Sequence, residues 1–455
     1  MYHRAFSIRK LGVSDFLGAL SILQELVYDQ PDQPSTARRH SSPGLGPGLQ
    51  RRECEGFDDP TTRTTEVKLV RVDQGIDLGH LEDTHDVYKN VIHDEIGVEE
   101  ATVELDKILN SKPRFNKWII VMVYGIASAA VGPFAFNARP IDMPMIFLYG
   151  ILLGILHQVI APRSELYSNV FEVSASVLTS FIARGLGSIT WDVPNGNREY
   201  LFCFSAISQS SIALILPGYT VLSSSLELQS HRLVAGSIRM VYAFIYSLFL
   251  GYGITVGTTI YGLIDPSASS DVLCPSTGDW GNEYAPRFPF VAGFVLCLLV
   301  INQGRWKQAP VMLFIAESGF VVTYFVTQRI GPSSQVANTV GAFTIGVMGN
   351  LYSRLWHGHA ATSILPGIFV LVPSGLAASG PLLSGIKSSD ETRHNISTAI
   401  NHSSYTEYSV EDSQIYTADL GFGMVQVSIG ITVGLFVAAL LIYPFGKRRG
   451  GLFSF

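Results

Sequence analysis

A chain of 455 residues with 47% hydrophobic and only 15% charged residues is short of solvating groups, which in soluble proteins make up about a quarter. Its mean hydropathy of +0.29 and its 43 glycines suit helices packed closely in lipid. A net charge of -6 excludes the basic footprint of a nucleic-acid partner, and no metal or cofactor motif stands out.

Taken in chain order, residues 1–56 read as a divergent leader. Phe16–Leu26 is too short for a signal peptide and is interrupted by Ser21, Gln24 and Glu25. Residues 30–55, rich in Pro, Ser, Gly, Gln and Arg, read as disordered linker. Residues 57–116 form a small cytosolic region. Within it Thr65–Val72 alternates like a strand, and Leu81–Leu109 reads as one or two amphipathic helices. The basic collar of Lys112, Arg114 and Lys117 closes it.

Ten apolar segments follow, each long enough to cross a hydrocarbon core. They are 117–137, 141–160, 169–189, 200–220, 237–262, 287–303, 308–328, 334–355, 360–380 and 420–445. The predicted fold is therefore an all-α polytopic membrane protein. It has two five-helix modules, 117–262 and 287–445, and a cytosolic tail at 446–455. The collar and the tail cations Lys447, Arg448 and Arg449 place both termini in the cytosol, in the plasma membrane or an endomembrane. The 381–419 loop then lies outside, and it holds both glycosylation sequons, at Asn395 and Asn401. Four cysteines, Cys54, Cys203, Cys274 and Cys297, are scattered. Cys203 and Cys297 read as buried free thiols, and no disulfide framework is implied.

Two motifs repeat in the same order. Ile-Leu-Pro-Gly occurs at 215–218 and 364–367, and Gly-Ile-Thr-Val-Gly at 253–257 and 430–434. Each falls at the same ordinal place in its five-span half. An odd number of spans per half makes the second half inverted, an architecture common in secondary transporters with substrate between the repeats. Pro217-Gly218 and Pro366-Gly367 read either as discontinuities flanking a cavity or as packing kinks.

Ionisable groups within spans are costly. Glu172 is either a proton carrier or an interfacial carboxylate near Arg163; Glu317 is either a proton carrier or a local polar contact. Gln209, Ser211, Asn338, Asn350 and Gln426 either ligate a polar solute beside Pro217, Gly218, Pro366 and Gly367 or hydrogen-bond between helices. His157, His357 and His359 lie near span ends, where an interfacial role is expected.

Long blocks carry a resemblance. FDDPTTRTTEVKLVRV (57–72), GPFAFNARPID (132–142), APRSELYSNVFEVSASVLTSFIARGLGSI (161–189), the run 210–257, the run 340–380 and YPFGKRRGGLFSF (443–455) resemble the fungal pheromone-regulated membrane protein family. That family is similar to bacterial threonine/serine exporters. The resemblance implies proton-driven export or antiport of small polar amino acids such as threonine or serine. It also implies a hydrolase-like cytosolic region, matched here by Asp58, Asp59 and Arg63, which otherwise form a turn. Residues 1–55 fall outside it, and the expectation is a truncated or divergent N-terminus. An enzyme is disfavoured because ten spans exceed what anchoring needs. A non-transporting protein of mating or cell-surface remodelling stays as the alternative.

Overall fold

The computed structural model describes residues 50–59, 64–73, 76–163, 165–192, 198–229, 233–265, 268, 274, 284, 287–330, 334–356, 358–379 and 410–444. The sequons at Asn395 and Asn401, the tail cations, Arg63 and His357 lie outside the described residues.

Two strands come first, β1 (Gln50–Asp59) and β2 (Thr64–Asp73), paired antiparallel from Gln50 opposite Asp73 to Asp59 opposite Thr64. Residues 50–55 are thus part of a strand rather than linker. The alternating Thr65–Val72 run requires a partner, since a lone strand leaves its backbone groups unpaired.

Two short helices follow, α1 (Leu78–Ile92) and α2 (Val98–Leu109). The Asp77 carboxylate caps α1 by accepting from His80 N–H at 2.8 Å. Glu99 and Glu100 open α2 and Lys107 closes it, each matching the helix dipole. Val87, Ala101 and Leu105 form a small core between them.

The apolar helices are α3 (Lys117–Ala135), α4 (Met143–Ile155), α5 (Glu165–Gly187), α6 (Phe204–Ile212), α7 (Gly218–Gln229) and α8 (Leu233–Ile264). After them come α9 (Phe288–Ile301), α10 (Ala309–Ile330), α11 (Ser334–Trp356), α12 (Ala360–Ser379) and α13 (Val410–Ile442). Six spans among the described residues are long and apolar enough to cross a membrane, or seven if the bent pair α6–α7 counts as one. The helices Phe288–Ile301 and Ala360–Pro373 are apolar but shorter. At 32 and 33 residues, α8 and α13 would each measure about 50 Å, well beyond a hydrocarbon core of about 30 Å.

Between α5 and α6 a small hairpin, β3 (Thr190–Asp192) with β4 (Arg198–Tyr200), occupies a stretch the sequence reading left as a connection. Beside it lies a correction to the cysteine reading. Cys203 is not a free thiol: it is bonded to Cys274, 71 residues away, with a Cα separation of 5.4 Å. Sequence spacing carries no signal for a bridge between a helix start and a distant loop. Cys297 is buried and free, as expected. At the same end of the bundle the fully buried Asp142 accepts from Cys203 N–H at 2.9 Å and pairs with Arg139 at 3.2 Å.

One large core runs through α3 to α13. α5 packs along α8, and α11 packs along α13. The motif glycines explain both contacts. A Cβ on Gly257 would stand 2.4 Å from the Val177 carbonyl oxygen, and one on Gly434 would stand 2.4 Å from the Thr339 carbonyl oxygen. Only glycine admits backbones that close.

The α1–α2 hairpin docks on the turn between α9 and α10. Leu78 N–H donates to Asn302 O at 2.9 Å, and Phe115 N–H donates to the Gln303 side chain at 2.7 Å. Arg305 is clamped by Asp83, by Asp86 at 3.3 Å and by Glu82 at 3.7 Å. The His85 ring meets His359, which opens α12, at a centroid distance of 4.6 Å.

Candidate functional site

The first Ile-Leu-Pro-Gly is a true break. α6 tightens into a 3-10 turn at Ala213–Ile215, Leu216 turns extended (φ -62°, ψ 141°), and α7 starts at Gly218. A residue before proline is pushed out of the α region, which is what Leu216 shows. The two limbs meet at 49°. Each new helix end bares backbone groups that lipid cannot satisfy, so such a break requires protein or water around it.

The second motif does not break. α12 runs continuously through Pro366 and Gly367, so of the two readings of this motif the packing one fits, in a helix carrying two internal prolines. Pro366 deprives the Thr362 carbonyl of its donor. Here α12 is enclosed by α10, α11 and α13, and Gly367 sits where a Cβ would be 3.0 Å from Ile345 of α11. Close packing on both sides holds the helix straight enough to continue. The two motifs nevertheless meet: a Cβ on Gly218 would lie 3.2 Å from the Phe369 ring of α12.

Around the break, Gln209 donates to Ser205 Oγ at 3.0 Å, and Ser211 donates to Ile207 O at 2.9 Å, both within α6. Ser208 reaches across to Ser180 of α5 at 3.3 Å. Beyond the break, α7 carries Ser225, whose hydroxyl meets Thr432 of α13 at 2.7 Å, linking the limb to the second Gly-Ile-Thr-Val-Gly. It also carries Glu227, buried at 5% exposure and paired with Arg239 of α8 at 3.1 Å.

Two family models match this chain in tandem. One, described as "Putative threonine/serine exporter", covers residues 55–261, and the other, "Threonine/Serine exporter, ThrE", covers residues 288–442. This chain belongs to the threonine/serine exporter family. Similar to this exporter-family chain is the pheromone-regulated membrane protein 10 of Pichia sorbitophila, 48% identical over 88% of this chain and 38% of that one. The protein of the same name from Candida albicans is 49% identical over 88% of this chain and 35% of that one. An uncharacterized protein of Schizosaccharomyces pombe is 48% identical over 88% of this chain and 50% of its own. The chain thus spans half or less of the length of these relatives. No solved structure matches it.

The remaining expected site residues of this exporter-family chain are dispersed. Asn338 and Asn350 are buried on α11, twelve residues and so about 18 Å apart along the axis, too far to share one small solute. Asn338 Nδ2 and Asn350 Oδ1 have no hydrogen-bond partner among the described residues. Gln426 is exposed on α13. Glu172 on α5 and Glu317 on α10 are half-buried in different halves. His359, expected at an interface, is instead buried, and its Nδ1 accepts from Thr362 N–H at 3.3 Å.

Three charged residues escaped the sequence reading. Glu227 did so because the fourth span was ended at 220, whereas α7 continues to Gln229. Arg239 and Arg184 lie inside apolar runs, and the rule that flagged Glu172 applies to them equally. Arg184 is fully buried and donates to Thr258 O of α8 at 2.8 Å.

Proposed function

We propose that this chain is a secondary transporter exporting or exchanging a small polar amino acid, threonine or serine, against protons. Its ten helices form two inverted five-helix repeats, 117–262 and 287–445, with the solute held beside the Pro217-Gly218 break. The observation that carries the reading is the broken α6–α7 span, lying against the helix that bears the same four residues in the other half. A broken helix puts bare amides and carbonyls within reach of an amino acid's carboxylate and ammonium groups.

Matched packing supports the inverted repeat: α3 lies against its counterpart α9, and α8 against its counterpart α13. The sidedness is coherent as well. The Cys203–Cys274 bridge falls on the end assigned to the oxidising exterior, with the sequon loop of Asn395 and Asn401. The α1–α2 hairpin meets turns assigned to the cytosol. Glu172 and Glu317 are the proposed proton carriers, one per repeat.

Labelled serine and threonine uptake into proteoliposomes, with and without a pH gradient, tests this. Gradient-dependent flux lost in Glu172→Gln or Glu317→Gln supports the assignment. No flux from folded protein sinks it in favour of a non-transporting membrane role.

A further inference from the structure

The two halves pack on one register. A Cβ on Gly253 of α8 would stand 3.1 Å from the Val173 carbonyl oxygen of α5, and one on Gly257 would stand 3.0 Å from the Phe181 amide nitrogen. A Cβ on Gly430 of α13 would stand 3.2 Å from the Gln335 carbonyl oxygen of α11, and one on Gly434 would stand 2.8 Å from the Phe343 amide nitrogen. Further along, Ser188 Oγ donates to Arg184 O at 2.8 Å, and Asn350 Nδ2 donates to Gly346 O at 2.8 Å. The steps from Val173 to Phe181, Arg184 and Ser188 are those from Gln335 to Phe343, Gly346 and Asn350. The frames match residue for residue, while the spans that carry Ile-Leu-Pro-Gly do not.

In the first half that span bends by 49°, with Leu216 extended; in the second, α12 continues through Pro366. Pro366 strips a donor from α12 without making a break there. The bent limb is fastened where Ser225 Oγ meets Thr432 Oγ1 at 2.7 Å. The sequence keeps the same pair of residues for the other half. Ser225 stands eight residues past Pro217, and Ser374 stands eight past Pro366. Thr432 is the threonine of the second Gly-Ile-Thr-Val-Gly, and Thr255 is that of the first. Both threonines donate to the carbonyl four residues back, Thr255 at 3.1 Å and Thr432 at 2.7 Å, which leaves each oxygen able to accept.

We propose that the bend changes places between the two motifs. This structure is one of two states; in the other, 215–218 runs as continuous helix, 364–367 breaks, and Ser374 fastens to Thr255. The change of bend rests on the transport reading of the two inverted repeats and gives it a movement that opens the solute site to either side. Because the frames match, the second state reuses the contacts of the first with the halves interchanged, so the two are close in free energy. Glu227, whose place past Pro366 is taken by Leu376, pairs with Arg239 and favours the bend where it stands.

Paired cysteines test this in the full chain in lipid nanodiscs, with Cys54→Ala and Cys297→Ala removing the other thiols, under mild oxidation and with bridges mapped by mass spectrometry. Ser225→Cys with Thr432→Cys should bridge, and so should Ser374→Cys with Thr255→Cys. In a chain carrying all four, each molecule should hold one bridge or the other, and closing the first should abolish the second. No bridge between positions 374 and 255, or both bridges in one molecule, would overturn the proposal. Where the cysteine variants fail to fold, hydrogen exchange of the unmodified chain carries the test. The Ile368 and Phe369 amides, bared in the second state, should lose protection relative to Val370 and Leu371, and equal protection would overturn the change of bend. Neither readout needs flux, so a failed serine or threonine assay and a failed change of bend are told apart.

Discussion

The same four residues, Ile-Leu-Pro-Gly, break one helix and leave the other whole. At 215–218 the chain turns by 49°, while at 364–367 α12 continues. Proline supplies the tendency to break in both places, and the surroundings decide the outcome. α12 is enclosed by three helices of its own half, whereas α7 leans across to α13 and is tied there by Ser225 and Thr432. Ten residues past the first proline stands Glu227, and ten past the second stands Leu376. A broken limb that carries a charge must be anchored, and Arg239 provides the anchor.

The largest expected effect follows from that anchor. Glu227→Ala takes the buried carboxylate away from the partly exposed Arg239 and should destabilise the protein by about 3 kcal/mol. Replacing both residues by apolar ones of similar volume should recover most of this. Thermal midpoints of the purified variants read it, and equal losses in single and double variants would show that the pair is no anchor.

Next come the glycines that the halves share. Gly257→Val and Gly434→Val each drive a side chain toward a carbonyl that cannot retreat, with an expected loss of about 3 kcal/mol each. Similar losses sharpen the match between halves, and a large loss in only one would break it.

Proline separates the two motifs more gently. Pro366→Ala returns a donor to the Thr362 carbonyl inside a continuous helix and should stabilise the protein by up to about 3 kcal/mol, read as a higher thermal midpoint. Pro217→Ala removes the constraint on Leu216 and should not stabilise.

The smallest effect concerns the α1–α2 hairpin. Asp83→Ala should loosen it by about 1 kcal/mol, read as faster hydrogen exchange at the Leu78 amide. Glu82→Gln should not loosen it. Burial raises the Glu82 carboxyl above its ordinary value of 4.5, and burial raises Asp86 in the same direction. A raised carboxyl binds its proton more tightly when docked. Its contribution is therefore full at low pH and fades as pH rises through the raised value. Exchange at Leu78 should accordingly quicken as pH climbs through that range, beyond the intrinsic exchange rate.

Apolar runs made the helices legible, since a long uncharged stretch has few alternatives to burial. The ten apolar segments fall on helices, α3, α4, α5, α6–α7 and α8 to α13, but among the described residues only six, or seven with the bent pair, meet the length and hydropathy of a span. The bend at Leu216 was legible because proline acts on its own neighbour. The survival of α12 was not, because it depends on how α10, α11 and α13 pack around it, which the motif itself does not show. Glu227 escaped because the fourth span was ended at 220, and Arg239 stands in an apolar run where the cost of an intramembrane charge already marked it. The Cys203–Cys274 bridge joins positions 71 residues apart, which no spacing motif announces.

The central claim is that the first break holds the solute. Threonine counterflow in proteoliposomes, comparing the unmodified chain with Gly218→Leu, tests it most directly, each protein first shown to be folded by size exclusion. Exchange is expected in the unmodified chain and its loss in Gly218→Leu, whose side chain would press against the Phe369 ring of α12. Equal exchange in both, or none in the folded unmodified chain, would contradict it.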